Sequence, residues 1–127
     1  MVTTLFPSLE EALYFHSEII ARFGGSPGIR DLGLLESALA RPRSGYYSSL
    51  SEQAAALMQS LALNHAFVGG NKRLAFGLAA VFLSINGFRT RVTPQEGEAF
   101  VVKRIIANRA ELEEITDWLE SHMSPAQ

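Results

Sequence analysis

The sequence predicts an all-α fold, a compact single-domain bundle of about six helices around a buried central helix, spanning residues 1–127. Three observations carry this expectation. Leu74 to Ile85 contains no charged residue, and a helix that is apolar all round must be buried on every side. The flanking segments repeat their apolar residues at helical spacing. Capping residues, glycines and prolines punctuate the chain where each helix must start or stop.

In chain order, Ser8-Leu9-Glu10-Glu11 reads as a capping box. The helix it opens places Leu9, Leu13, His16, Ile19, Ile20 and Phe23 inward and stops at Gly24-Gly25. Ser26 to Arg30 is a loop, and Asp31 caps a short second helix that uses Leu34, Leu35, Ala38 and Leu39 and ends near Arg41-Pro42. Ser44 to Leu50 reads as a loop. Ser51 is the expected cap of a third helix, with Ala54, Leu57, Met58, Leu61 and His65 on one face. The buried fourth helix follows and ends at Asn86-Gly87. Phe88 to Val92 alternates in type and predicts a short extended piece. Thr93-Pro94-Gln95-Glu96 opens a fifth helix that uses Phe100, Val101, Ile105 and Ile106. Asn108 with Glu111 opens a sixth, with Leu112, Ile115, Trp118 and Leu119 inward, and the chain from Ser121 onward is expected to fray.

Composition bounds the function. A hydrophobic content of 47% with 19% charged residues is globular rather than disordered. The net charge of −2 argues against binding nucleic acid through bulk electrostatics. Without cysteine there is neither a disulfide nor a thiolate metal site, and no pair of histidines has metal-ligand spacing. No basic segment leads into an apolar run at the N-terminus, and the longest apolar run is too short for a membrane span, so the expected location is the cytoplasm.

The chemistry concentrates in His65-Ala66-Phe67-Val68-Gly69-Gly70-Asn71-Lys72-Arg73, immediately before the central helix. Glycines let backbone approach a ligand, and free N–H groups at a helix start favour an anion. Lys72 and Arg73 sit at the end where the helix dipole disfavours cations, which implies a phosphate that compensates them. A histidine within a few residues of such a cradle can serve as a general base. His16 reads instead as a hydrogen-bonded core histidine, His122 as a surface residue and Phe67 as a core plug. The lysine is followed by Arg rather than Ser or Thr, so this is not a Walker-type loop.

These residues resemble the Fic/Doc family pattern His-x-Phe-x-(Asp/Glu)-Gly-Asn-(Lys/Gly)-Arg, most closely in its Doc (death-on-curing) toxin branch. Phe23 to Asp31, Gly33 to Pro42 and Phe82 to Gly87 resemble other segments of the family, so the likeness runs nearly the full length. It implies the all-α Fic fold and transfer of the ATP γ-phosphoryl group to a hydroxyl of elongation factor Tu. Most other members move AMP, and the pattern alone does not choose between the two. By position, His65 would deprotonate the target hydroxyl, while Gly70, Asn71, Lys72 and Arg73 would hold phosphate oxygens. A cognate Phd-like antitoxin is implied, docking in an apolar groove beside the site. No helix of this chain carries a convincing inhibitory Ser/Thr-x-x-x-Glu motif, which fits inhibition in trans. One position departs from the pattern. The family's acid, expected to hold Mg²⁺, is Gly69, so there is no side-chain metal ligand at that position. The reading is therefore an ATP-dependent transferase that is inactive or severely impaired as written, with a catalytically dead antitoxin-binding module as the competing class. Glu36 and Asp31 are conceivable substitutes for the missing carboxylate, and Arg30, Arg41 and Tyr47 are candidates to approach the ligand.

Overall fold

The computed structural model describes residues 3–126. Its helices are α1 (Leu9–Phe23), α2 (Leu32–Ala40), α3 (Leu50–Asn64), α4 (Asn71–Ile85), α5 (Pro94–Phe100) and α6 (Leu112–Ser121). A 3₁₀ turn at Arg41–Arg43 follows α2, and a π-helical segment at Val101–Ala107 continues α5. The expected all-α architecture is present, with one two-stranded ribbon added to it.

The capping signals act as local chemistry predicts. Ser8 with Glu11 and Thr93 with Glu96 form complete capping boxes, and Asp31 accepts from the Leu34 N–H. The cap of α3 is Ser49 rather than Ser51. The Glu52 carboxylate reaches back to the Ser48 and Ser49 N–H groups, so the box closes two residues earlier. Ser51 Oγ donates instead to Glu120 at 2.6 Å and ties α3 to α6. At the last helix the N-cap is Glu111 and not Asn108.

Helices α3 and α4 form the most extensive pair, and α6 closes over α3. Phe67, Leu57, Leu61, Leu74, Leu78, Phe82, Ile105, Ile115 and Leu119 belong to one contiguous core. Burying a Leu or Phe side chain stabilises by roughly 1.5–3 kcal/mol, so this core dominates the fold's energetics. One expectation is refined here and one fails. The fifth helix changes to π-helical geometry at Val101, where Val101 and Ile105 are buried. The chain after Ser121 does not fray. Met123–Pro125 forms β2, antiparallel to β1 (Phe88–Thr90), with Phe88 opposite Pro125 and Thr90 opposite Met123.

The central helix is not buried on every side. Leu74, Ala75, Phe76, Leu78, Ala79, Phe82 and Leu83 are buried, but Gly77, Ala80 and Val81 are half-exposed and Ile85 is 42% exposed. That open face and the neighbouring face of α1 form a groove. Near its middle the helices approach so closely that a Cβ on Gly77 would lie 2.7 Å from the Phe15 ring.

Candidate functional site

The loop between α3 and α4 is fixed by neighbours from four directions. At its start His65 is the C-cap of α3 and adopts the left-handed conformation, φ 53°. Glycine is the usual residue at such a helix end, and histidine is one of the few others that adopt this conformation with some frequency. Arg30 locks this corner, donating through Nε to the His65 carbonyl at 2.7 Å and through Nη2 to the Asn64 carbonyl at 3.0 Å. The chain from Gly28 to Asp31 then runs antiparallel beside the loop. Arg30 and Asp31 N–H both donate to the Ala66 carbonyl, and Val68 N–H donates to the Gly28 carbonyl.

Asn71 supplies the third clamp. Its Oδ1 accepts from the Phe67 N–H at 3.1 Å and its Nδ2 donates to the Phe67 carbonyl at 2.8 Å. Those bonds fix the amide against the loop and use one of its two N–H donors, leaving the second Nδ2–H and the backbone N–H for any anion bound here. The fourth clamp is His16, whose Nε2 lies 2.7 Å from the Gly69 carbonyl oxygen and whose ring stacks on Phe67 at 3.6 Å between centroids. His16 and Phe67 are each 2% exposed, as the core-histidine and core-plug readings expect.

Gly70 ends the loop as the N-cap of α4, with φ +79° and no side-chain cap. A Cβ there would be strained by its φ and would press on His16 and Ile20. A left-handed residue leading into helical ones makes a backbone nest for anions. The first helical bond runs from Leu74 N–H to the Gly70 carbonyl, so the Asn71, Lys72 and Arg73 N–H groups have no helical acceptor. Meanwhile the carbonyls of Asn64, His65, Ala66, Phe67, Gly69 and Gly70 each accept from a donor within the protein. The backbone thus offers donors forward and turns acceptors inward.

The structure brings His65, Gly70, Asn71, Lys72 and Arg73 to one place. A cavity of about 290 Å³ is lined by Ala62, His65, Val68, Gly69, Gly70, Asn71, Lys72, Arg73 and Glu98. His65 and Lys72 are exposed to it. Arg73 packs its guanidinium over Phe23, 4.6 Å from the ring centroid, and its Nε faces Glu98 Oε1 at 3.5 Å. Glu98, on α5, is the residue that sequence reasoning missed, because nothing in its own segment distinguishes it from other helix-surface glutamates.

Other candidates lie elsewhere. Asp31 is engaged as the α2 cap, and neither it nor Glu36 lines the cavity. Arg30 works on the loop's backbone. Arg41 is held by Tyr47 Oη at 2.7 Å and Ser60 Oγ at 3.0 Å, away from the cavity. A divalent cation would meet one carboxylate here, Glu98, already paired with Arg73. Among the described residues no group of three His, Asp or Glu side chains could hold a metal ion. The side chains present do not fit a cation site on their own. A Cβ at Gly69 would lie 3.0 Å from the Ser26 N atom, so any side chain at this position needs the Ser26 backbone to give way slightly.

A second, larger cavity of about 480 Å³ begins where the first ends. It lies in the α1/α4 groove, lined among others by Phe15, Ile19, Phe76, Ala80 and Val81, with Glu18, Arg22 and Arg73 as its charged lining. Arg73 belongs to both cavities.

Comparison with known proteins shows the family. The family model described as Fic/DOC family matches residues 6–83, from before α1 to near the end of α4. "Toxin Doc" of Mycolicibacterium smegmatis is 53% identical over 70 residues, covering 51% of this chain and 54% of that protein. "Protein kinase doc" of Escherichia phage P1 is 35% identical over 92 residues, covering 69% of this chain and 73% of that protein. The chain therefore spans only about half the length of the first of these relatives.

Proposed function

The chain belongs to the Fic/DOC family, on its Doc toxin branch, and from that premise we propose that it is the toxin of a toxin–antitoxin pair, built to move the γ-phosphoryl group of ATP to a hydroxyl of elongation factor Tu in the cytoplasm. The observation that carries the proposal is the convergence of His65, Gly70, Asn71, Lys72 and Arg73 on one small cavity at the start of α4. Its volume suits a polyphosphate rather than a whole nucleotide, so the base lies outside it.

In this reading the γ-phosphoryl oxygens rest on the Gly70 to Arg73 N–H groups and the two cations. Arg73 offers paired donors to a phosphate, and Lys72 a single point charge. The target oxygen attacks phosphorus, its proton passes to the neutral His65 imidazole, and the bond from the γ-phosphorus to the leaving ADP oxygen breaks. A positioned base of this kind contributes roughly 100- to 10,000-fold in rate. ATP is the substrate. Mg²⁺ belongs to the family chemistry, but position 69 offers it no carboxylate, so no step here is routed through it.

The groove beside the site is where a Phd-like antitoxin segment docks in this proposal. Its lining is mostly apolar, with Glu18, Arg22 and Arg73 as the charged groups, which fits an amphipathic helix that sets an acidic residue against the arginines.

The absent carboxylate favours a second reading, in which transfer is crippled and the fold persists as an antitoxin-binding module. AMP transfer uses the same residues and changes only which phosphorus faces His65. One experiment separates the three: incubate elongation factor Tu with γ- or α-labelled ATP and this chain, its Gly69→Asp variant, or its Gly69→Asn variant. Asn is the steric control, because both side chains crowd Ser26 equally and only one is anionic. We expect γ-label transfer by the Asp variant at least about a hundredfold above the other two, the scale of metal-borne charge stabilisation. Transfer of α-label would mean nucleotidylation. No transfer by any of the three would leave the binding module.

A further inference from the structure

His16 does more than fill the core, and we propose that it is a positioning residue that aims the Gly70 N–H into the phosphate cavity. The inference rests on the phosphate reading of that cavity. A carbonyl oxygen can only accept, so at 2.7 Å from the Gly69 oxygen the His16 Nε2 must carry the proton and donate. The Gly69 carbonyl and the Gly70 N–H belong to one planar peptide unit, and the described chain has no cis bonds. In a trans unit the two groups point in opposite directions. Pulling the carbonyl toward α1 therefore swings the N–H away from α1. Gly70 lines the cavity and no α1 residue does, so in this proposal the N–H turned from α1 faces it.

Electrostatics makes this orientation matter. A peptide flipped the other way would present a carbonyl dipole to an anion and remove one donor from the nest. Glycines at positions 69 and 70 leave this unit without side chains to fix it, so an external clamp is needed. His16 is well placed to be that clamp. Its ring is held flat against Phe67, 12° from parallel, and 2% exposure keeps water from competing for the Gly69 carbonyl.

The test uses the full chain and two variants, with inorganic pyrophosphate as the probe. His16→Phe keeps a stackable ring and drops the donor. His16→Gln loses the ring and keeps an amide N–H of similar reach. Titration followed by NMR reads affinity and the Gly70 amide shift, and residual dipolar couplings in the free protein read the Gly70 N–H direction. The expected result is pyrophosphate binding weakened about three- to tenfold in His16→Phe, the scale of one hydrogen bond, with a reoriented Gly70 N–H. His16→Gln should recover most of both. Equal affinity and unchanged couplings in His16→Phe would overturn the proposal, as would equal losses in both variants, which would mean that packing alone matters. Failure of the unmodified chain to bind pyrophosphate would instead overturn the phosphate reading, and this role with it.

Discussion

Glu98 sets the resting charge of the cavity. Its carboxylate faces Arg73 at 3.5 Å, and a phosphate arriving at Arg73 must share the guanidinium with it. Both side chains are partly exposed, 40% for Arg73 and 28% for Glu98, so the pair is worth no more than roughly 0.2–1 kcal/mol. Glu98→Gln should therefore tighten pyrophosphate binding by about two- to fivefold at low salt, and less at high salt as screening grows. Calorimetric titration at two ionic strengths checks this. Weaker binding in the variant would mean that Glu98 is needed to hold Arg73 in place and does not compete with the ligand. At this scale the sequence exposed the reactive residues but not their fastening. His65, Gly70, Lys72 and Arg73 stand side by side in the chain, whereas His16 meets Gly69 across 53 positions. Single-sequence periodicity marks His16 only as inward-facing, since it carries no information on which distant carbonyl the ring will reach.

At the level of elements, caps explain both what was legible and what was not. Ser8, Asp31 and Thr93 announced their helices because capping is local chemistry, resolved within three or four residues. Ser49 and Ser51 both precede the same helix, and Glu52 decides between them by reaching back to Ser48 and Ser49. The β1–β2 ribbon was invisible at its second strand because strand pairing is a tertiary event. Two of the carboxylates that close these boxes titrate low. Hydrogen bonds from the Ser48 side chain and backbone hold Glu52 below the usual 4.5, and those from the Thr93 backbone and side chain do the same for Glu96. A lowered folded-state pKa stabilises the protein above the unfolded value and is lost as pH falls through the folded one. Stability should therefore fall on acidification from just above 4.5 downward, and Glu52→Gln and Glu96→Gln should each flatten that fall in thermal melts across this window. A slope unchanged in both variants would refute the assignment. Packing between elements is tested at Gly97, where a Cβ would lie 2.3 Å from Phe76 Cγ. Phe76 is itself 5% exposed and meets Trp118 edge-on, so it has little room to retreat. Gly97→Ala should cost about 1–3 kcal/mol by overpacking, measured by urea unfolding, and a cost near zero would show that α5 shifts freely against α4.

On the scale of the whole molecule, the arrangement of α4 couples two surfaces that the sequence presented as one buried helix. Its start forms the cavity proposed to take phosphate and its open face lines the groove, with Arg73 lining both. The uncharged run Leu74 to Ile85 satisfied a simple burial rule, and that rule could not distinguish a helix covered by its own chain from one left for a partner to cover. If the antitoxin segment occupies the groove as proposed, an acidic residue at its rim and the nucleotide's phosphate both need the Arg73 guanidinium. Two ligands that need one group in incompatible ways bind with negative coupling, and the coupling is reciprocal. Saturating ATP should therefore weaken the antitoxin segment's affinity, and the segment should weaken ATP by the same factor. Ala80→Asp, on the groove floor away from the phosphate cavity, should reduce segment binding while leaving ATP affinity unchanged. Fluorescence anisotropy of a labelled antitoxin peptide, titrated with and without ATP, measures both effects. Equal peptide affinity in the two conditions would separate the surfaces and place the inhibitory contact somewhere other than Arg73.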